Sequence, residues 1–114
     1  DEDVSLPGFV DNPYAYMARS AVFVLSSVWE GLPTVLIEAM AVGTPVVATD
    51  CPSGPREIAA LTNACQLVPI SNPVVLSRAI IGYLEKPHRN MNLDLEAFTL
   101  SSAVNAYKGV LLCQ

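Results

Sequence analysis

Positive charge is scarce in this chain. Its 114 residues hold six Lys and Arg against eleven Asp and Glu, a formal net charge of −5, and no two of the basic residues are neighbours. Nucleic-acid binding needs clustered Lys and Arg to neutralise phosphates, so that class of partner is excluded. An anionic small molecule is not, because backbone amides at a helix N-terminus hold one without any cationic side chain. Histidine occurs once, at His88, and cysteine three times, at Cys51, Cys65 and Cys113. The cysteines are too few and too far apart for a zinc motif, no ligand cluster for another metal is visible, and an odd number fits reduced thiols in the cytoplasm. Long apolar runs are missing too: each is cut by Pro, Gly or Glu well short of the roughly 20 residues a membrane span requires. The opening DEDVSLPGFV is acidic and lacks the basic-then-apolar order of a signal peptide.

What is present is apolar and punctuated. With 52% hydrophobic and 15% charged residues, the chain can bury the core of one domain, and disorder is excluded. In VDNPYAYMARSA, Asn12 is a cap and Pro13 suits a first turn, with Tyr14, Met17, Ala18 and Ala21 as an apolar stripe. Ala21 to Leu25 reads as a strand buried on both faces. A helix follows from Pro33, closed by Gly43, and then a second buried strand from Thr44 to Asp50. CPSGP turns into a short helix, PREIAALT, and Cys65 to Val68 is a third strand. SNPVVLSRAIIGYLEK is an amphipathic helix capped by Asn72 or Ser71. The segment around His88 reads as a polar loop, and LEAFTLSSAVNAYKGVLL as a closing helix weakened by Thr99 to Ser102 and Gly109. Strands alternating with helices predict an α/β fold, a Rossmann-like parallel sheet with helices on both faces.

In such a sheet, ligands bind beyond the carboxyl ends of the strands. The two loops there, SSVWEGLP and TDCPSGP, are rich in small residues. Glu38 raises a question of its own, being the only charged residue from Gly31 to Thr49. A carboxylate buried among Val35, Leu36, Ile37, Ala39 and Met40 needs donors, because an unpaired buried charge is costly. Ligand hydroxyls from a ribose or sugar would serve, and so would backbone N–H groups of a neighbouring loop. The alternative is a satisfied structural carboxylate, with Glu30 a solvated loop residue.

The stretch GFVDNPYAYMARSAVFVLSSVWEGLPTVLIEAMAVGTPVVATDCPSGPREIA, Gly8 to Ala59, resembles the C-terminal half of a group 1 (family 4) glycosyltransferase of the GT-B fold. Glu30 and Glu38 match that family's E-x7-E element. A looser resemblance continues through VPISNPVVLSRAIIGYL to the end. The resemblance implies retaining transfer from a nucleotide-sugar donor to a saccharide or lipid-linked acceptor, in bacterial polysaccharide or glycolipid assembly. It implies that Glu30 contacts the donor sugar and is the catalytic candidate, and that Glu38 hydrogen-bonds the ribose hydroxyls. Gly31, Leu32, Pro33 and Thr34 would lie beside the sugar and diphosphate, and Val35 near the ribose and diphosphate. No cofactor and no metal are expected, the nucleotide sugar being a co-substrate.

Other residues carry weaker expectations. Ser26 and Ser27 cap the loop or touch the donor; Gly54 and Pro55 are structural; Arg56 and Glu57 are helix-surface residues; Trp29 flanks the site or, the commoner case, packs before a turn; His88 is solvated. Two departures from the family pattern stand out. The family has further strands, a basic Arg/Lys pair and an N-terminal acceptor domain before the GF element, so the chain is expected to be a partial donor-binding domain that does not transfer sugar alone. Ala64-Cys65 stands where the family has a glycine-bearing turn. Competing readings are a GT-B sugar-nucleotide epimerase and a non-catalytic module that self-associates through an exposed sheet. The location expected is cytoplasmic, with peripheral contact of the full-length enzyme at the inner membrane face.

Overall fold

A computed structural model describes residues 3–86 and 95–112. His88, most of the polar segment around it, and Cys113 lie outside them. The elements run α1 (Pro13–Arg19), β1 (Phe23–Leu25), α2 (Thr34–Ala41), β2 (Val46–Thr49), α3 (Pro55–Ala60), β3 (Cys65–Val68), α4 (Pro73–Glu85), a 3-10 turn (Glu96–Phe98) and α5 (Leu100–Leu112). The three strands pair in parallel in the order β1-β2-β3. Val46 lies opposite Phe23 on one side and Cys65 on the other. The fold is α/β, as the alternation of strand and helix predicts.

Period-two alternation along β2 divides the core. Val46 and Ala48 face a cluster with Leu36, Ala39 and Met40 of α2, Ile58 of α3 and Met17 of α1. Val47 faces the other way, onto Val68, Ala79 and the Val75, Leu76 and Tyr83 side of α4. Helices therefore cover both faces of the sheet. Leu36 and Met40 are wholly buried, each contributing about 1.5–3 kcal/mol by leaving water. Leu95 and Phe98 add to the first cluster.

The caps follow the sequence reading. Asn12 Oδ1 accepts from the Ala15 amide at 3.2 Å and Asn72 Oδ1 from the Val75 amide at 3.1 Å, which satisfies otherwise orphan first-turn donors. Gly43 closes α2 at φ +83°, the left-handed conformation glycine adopts without strain. The closing helix begins later than expected. Thr99 breaks it, its hydroxyl accepting from the Ser102 amide, so Glu96–Phe98 form a separate turn. The turn before β3 forms without glycine: Thr62 Oγ1 accepts from the Ala64 amide at 3.1 Å, and Ala64 is buried.

One expectation is corrected. β1 is not buried on both faces; all three of its residues are half-buried. It pairs with β2 alone among the described residues, and α4 packs on β2 and β3 instead. Only β2, at the centre, is buried throughout.

Cys51 and Cys65 are free thiols. Burial pushes the Cys65 thiol up to about 11 from its ordinary 9.0. Between those values the unfolded chain has released the proton while the folded chain keeps it. Its stabilising contribution is therefore full below pH 9.0 and is lost as pH rises toward 11. Tyr83, raised by its own burial and then by Cys65, titrates in the same direction. Urea midpoints at about pH 8 and about pH 10.5 should fall at the higher value. Cys65→Ala should shrink the difference; an undiminished drop would assign it to other groups.

Candidate functional site

The loop after β1 is held at three points. Thr49, 5% exposed at the end of β2, directs its hydroxyl at the carbonyls of Leu25 and Ser27. Ser27 Oγ in turn donates to Glu30 Oε1 at 2.5 Å. The third point is Gly54, in the loop after β2. It is buried at φ +73° and ψ −72°, and a Cβ there would stand 2.2 Å from the Gly31 carbonyl oxygen and 2.4 Å from Pro33 Cδ. The absent side chain lets the loops after β1 and β2 touch backbone to backbone. Glu30 is thus a half-buried carboxylate with one fixed hydroxyl donor, on a loop that cannot shift without disturbing β2.

From that loop the chain enters α2. Pro33 is buried and occupies the N-cap position, where no side chain caps the helix. The first-turn amides and the positive end of the helix dipole therefore lack a side-chain acceptor. Thr34 is exposed and Val35 half-buried. Glu38 lies one turn beyond Thr34, and residues four apart share a helix face. Gly31 and Leu32 are thus exposed in the loop, Pro33 is buried at the helix entrance, and Thr34, Val35 and Glu38 follow on the first turns of α2.

Glu38 is not the buried charge the apolar sequence around it suggested. It is half-exposed, because its apolar neighbours Leu36, Ala39 and Met40 turn to the core and leave it on the opposite side. Its carboxylate has no hydrogen-bond partner among the described residues, and partial exposure to water removes the need for one. Trp29 is a second correction. It does not pack before the turn but stands 74% exposed.

Asp50 and Arg56 bracket the neighbouring loop. Arg56 Nε donates to Asp50 Oδ1 at 2.9 Å and a terminal nitrogen donates to Oδ2 at 2.5 Å. The hydrogen bond from Arg56 holds the Asp50 carboxyl below its ordinary value, with the guanidinium charge adding to it. Beside this pair is a cavity of about 430 Å³ lined by Asp50, Cys51, Pro52, Ser53, Arg56, Glu57 and Ile70. Glu30 and Glu38 do not line it. Among the described residues no group of His, Cys, Asp or Glu could hold a metal ion, and no helix is long and apolar enough to cross a membrane.

Sequence reasoning missed Thr49 and the closeness of Gly54 to Gly31. A signal for the first was available: a hydroxyl in a strand buried throughout must find an acceptor. The second had none, because it depends on how two loops meet in space.

With this geometry in view, the comparisons with known proteins are informative. The pattern of the family described as glycosyl transferases group 1 matches residues 1–86. A Campylobacter jejuni protein named N-acetylgalactosamine-N,N'-diacetylbacillosaminyl-diphospho-undecaprenol 4-alpha-N-acetylgalactosaminyltransferase is 44% identical over 108 residues, 95% of this chain and 30% of its own length. An uncharacterized glycosyltransferase of Methanocaldococcus jannaschii is 50% identical over 56 residues, 49% of this chain and 14% of that protein. An amylovoran biosynthesis glycosyltransferase of Erwinia amylovora is 49% identical over 43 residues, 38% of this chain and 12% of that protein. The chain spans 30% or less of the length of these relatives. No solved structure matches it.

Proposed function

The chain belongs to the group 1 glycosyl transferases, and from that premise we propose that it forms the donor side of a retaining glycosyltransferase. In this reading the strip from Glu30 to Glu38 holds a nucleotide sugar. Glu38 receives the ribose hydroxyls, the backbone from Gly31 to Val35 lies beside the diphosphate, and Glu30 lies against the sugar as the catalytic carboxylate. One observation carries it: Glu38 is a half-exposed carboxylate without a partner among the described residues, set one turn into a helix whose N-terminus no side chain caps. A carboxylate accepts from hydroxyls and a helix N-terminus attracts an anion, so a nucleoside diphosphate satisfies both.

In this proposal the transfer uses no metal, and the helix end supplies part of the diphosphate's counter-charge. Names among the relatives mention a diphospho-undecaprenol acceptor and amylovoran. They support an acceptor that is a saccharide, free or lipid-linked, and a role in bacterial polysaccharide or glycolipid assembly at the cytoplasmic side of the membrane.

Calorimetric or NMR titration with UDP, GDP and ADP, and with their sugars, tests the donor site. One nucleotide family is expected to bind, and Glu38→Ala is expected to weaken it about 10- to 100-fold, the worth of hydrogen bonds to a charged group. Binding that Glu38→Ala leaves unchanged would remove Glu38 from the site. Absence of binding to all of them would overturn the donor-site assignment for this chain.

A further inference from the structure

We infer that Ser27 is a positioning residue for Glu30, holding one carboxylate oxygen so that the other is presented to the donor sugar, an assignment that rests on the donor-site reading above. The Ser27 hydroxyl donates to Glu30 Oε1 at 2.5 Å, the short end of the range for a hydroxyl on a carboxylate. A serine hydroxyl has one proton to donate. Spent on Glu30, that proton is not offered to a ligand, so Ser27 serves the carboxylate. Glu30 Oε2 receives no hydrogen bond among the described residues and is the oxygen left for the sugar. Ser26, next in the chain, is exposed and takes no part in this contact.

Ser27 can orient Glu30 because it is itself held. The buried Thr49 hydroxyl donates to the Ser27 carbonyl, and Thr49 ends β2, the strand buried throughout. On the far side of Glu30, Gly54 lies against Gly31 and Pro33. The loop is therefore pinned before and after the carboxylate, and the line of support runs from the core through Thr49 and Ser27 to Glu30. A half-buried glutamate without such a partner keeps several rotamers, and the reaction would have to select one of them. That selection falls on the chemical step, where a misplacement of about 1 Å can cost on the order of 10²-fold in rate. Nucleotide affinity rests on Glu38 and the helix end in the reading above, so it does not depend on this hydrogen bond.

The test compares Ser27→Ala, Ser27→Cys and Ser27→Thr, by calorimetric nucleotide-sugar binding to this chain and by turnover in an enzyme form that carries the acceptor side as well. Ser27→Ala is expected to lower kcat about 10- to 100-fold. Ser27→Cys, close to serine in size but a weak donor, should fall nearly as far, and Ser27→Thr, which keeps the hydroxyl, should recover most of the rate. KM and donor affinity should stay nearly constant through the series. In a Glu30→Ala background, Ser27→Ala should cost little more, because no carboxylate is left to orient. An unchanged kcat in Ser27→Ala, rates that follow side-chain size rather than the hydroxyl, a rise in KM alone, or full additivity with Glu30→Ala would each overturn the assignment. Nucleotide binding by the unsubstituted chain separates the two readings. Donor binding together with any of those outcomes defeats only the positioning role, whereas absence of donor binding defeats the donor site and the positioning role with it.

Discussion

Gly54→Ala is expected to cost about 2–5 kcal/mol of stability and to abolish nucleotide-sugar binding. Two penalties combine. At φ +73° an L-residue with a Cβ is strained by roughly 1–2 kcal/mol. The new methyl would also stand 2.2 Å from the Gly31 carbonyl oxygen and 2.4 Å from Pro33 Cδ, and overpacking of this kind costs about 1–3 kcal/mol more. Neither obstacle is the free end of a flexible side chain: one is backbone and the other a proline ring. The loop carrying Glu30 must therefore move away from β2. Against a total stability of about 5–15 kcal/mol, the loss is large. Gly31→Ala is the matched control, since a Cβ there meets nothing within 4 Å. Urea unfolding of both variants checks the prediction. Equal midpoints for the two would mean that the contact between the loops does not form.

The second large effect concerns Glu30. Glu30→Gln keeps an oxygen for the Ser27 hydroxyl to donate to, so the loop should hold its shape and the nucleotide its affinity. On the proposed donor-site reading, what disappears is a negative charge beside the sugar, where positive charge develops as the glycosidic bond to the diphosphate breaks. At about 4 Å and an effective dielectric constant near 20 that attraction is worth about 4 kcal/mol. Discounting what the ground state already feels, transfer should fall on the order of 10²–10³-fold. The assay requires an enzyme form that carries the acceptor side as well. Separate values of kcat and KM decide the matter: a fall in kcat with KM nearly unchanged supports a charge acting in the transition state, and a rise in KM alone would reduce Glu30 to a binding residue.

These two residues illustrate how unevenly the site can be read. Glu30 and Glu38 stand out in the sequence because charge is rare around them, and their spacing carries the family resemblance. Their surroundings do not follow from that. An apolar run around Glu38 suggested burial, but a helix of eight residues turns only part of its circumference to the core, and Glu38 lies off that part. Trp29 left two readings open in sequence, packing or flanking the site, and only its exposure rules out the first. Ser27 was visible as a polar residue at a strand end, while its bond to Glu30 required the loop to double back.

The amino-acid sequence by itself determined the alternation of strand and helix, the Asn12, Asn72 and Gly43 helix ends, and the family. Each of these rests on interactions within a few residues, where side-chain type and spacing dictate the backbone. Tertiary structure alone decided that β2 is central and β1 an edge among the described strands, that Gly54 lies against Gly31 and Pro33, and that Thr49 anchors Ser27. Those contacts join residues about twenty or more positions apart. They form only because parallel strand pairing brings the two loops to the same end of the sheet, a condition that no local pattern specifies.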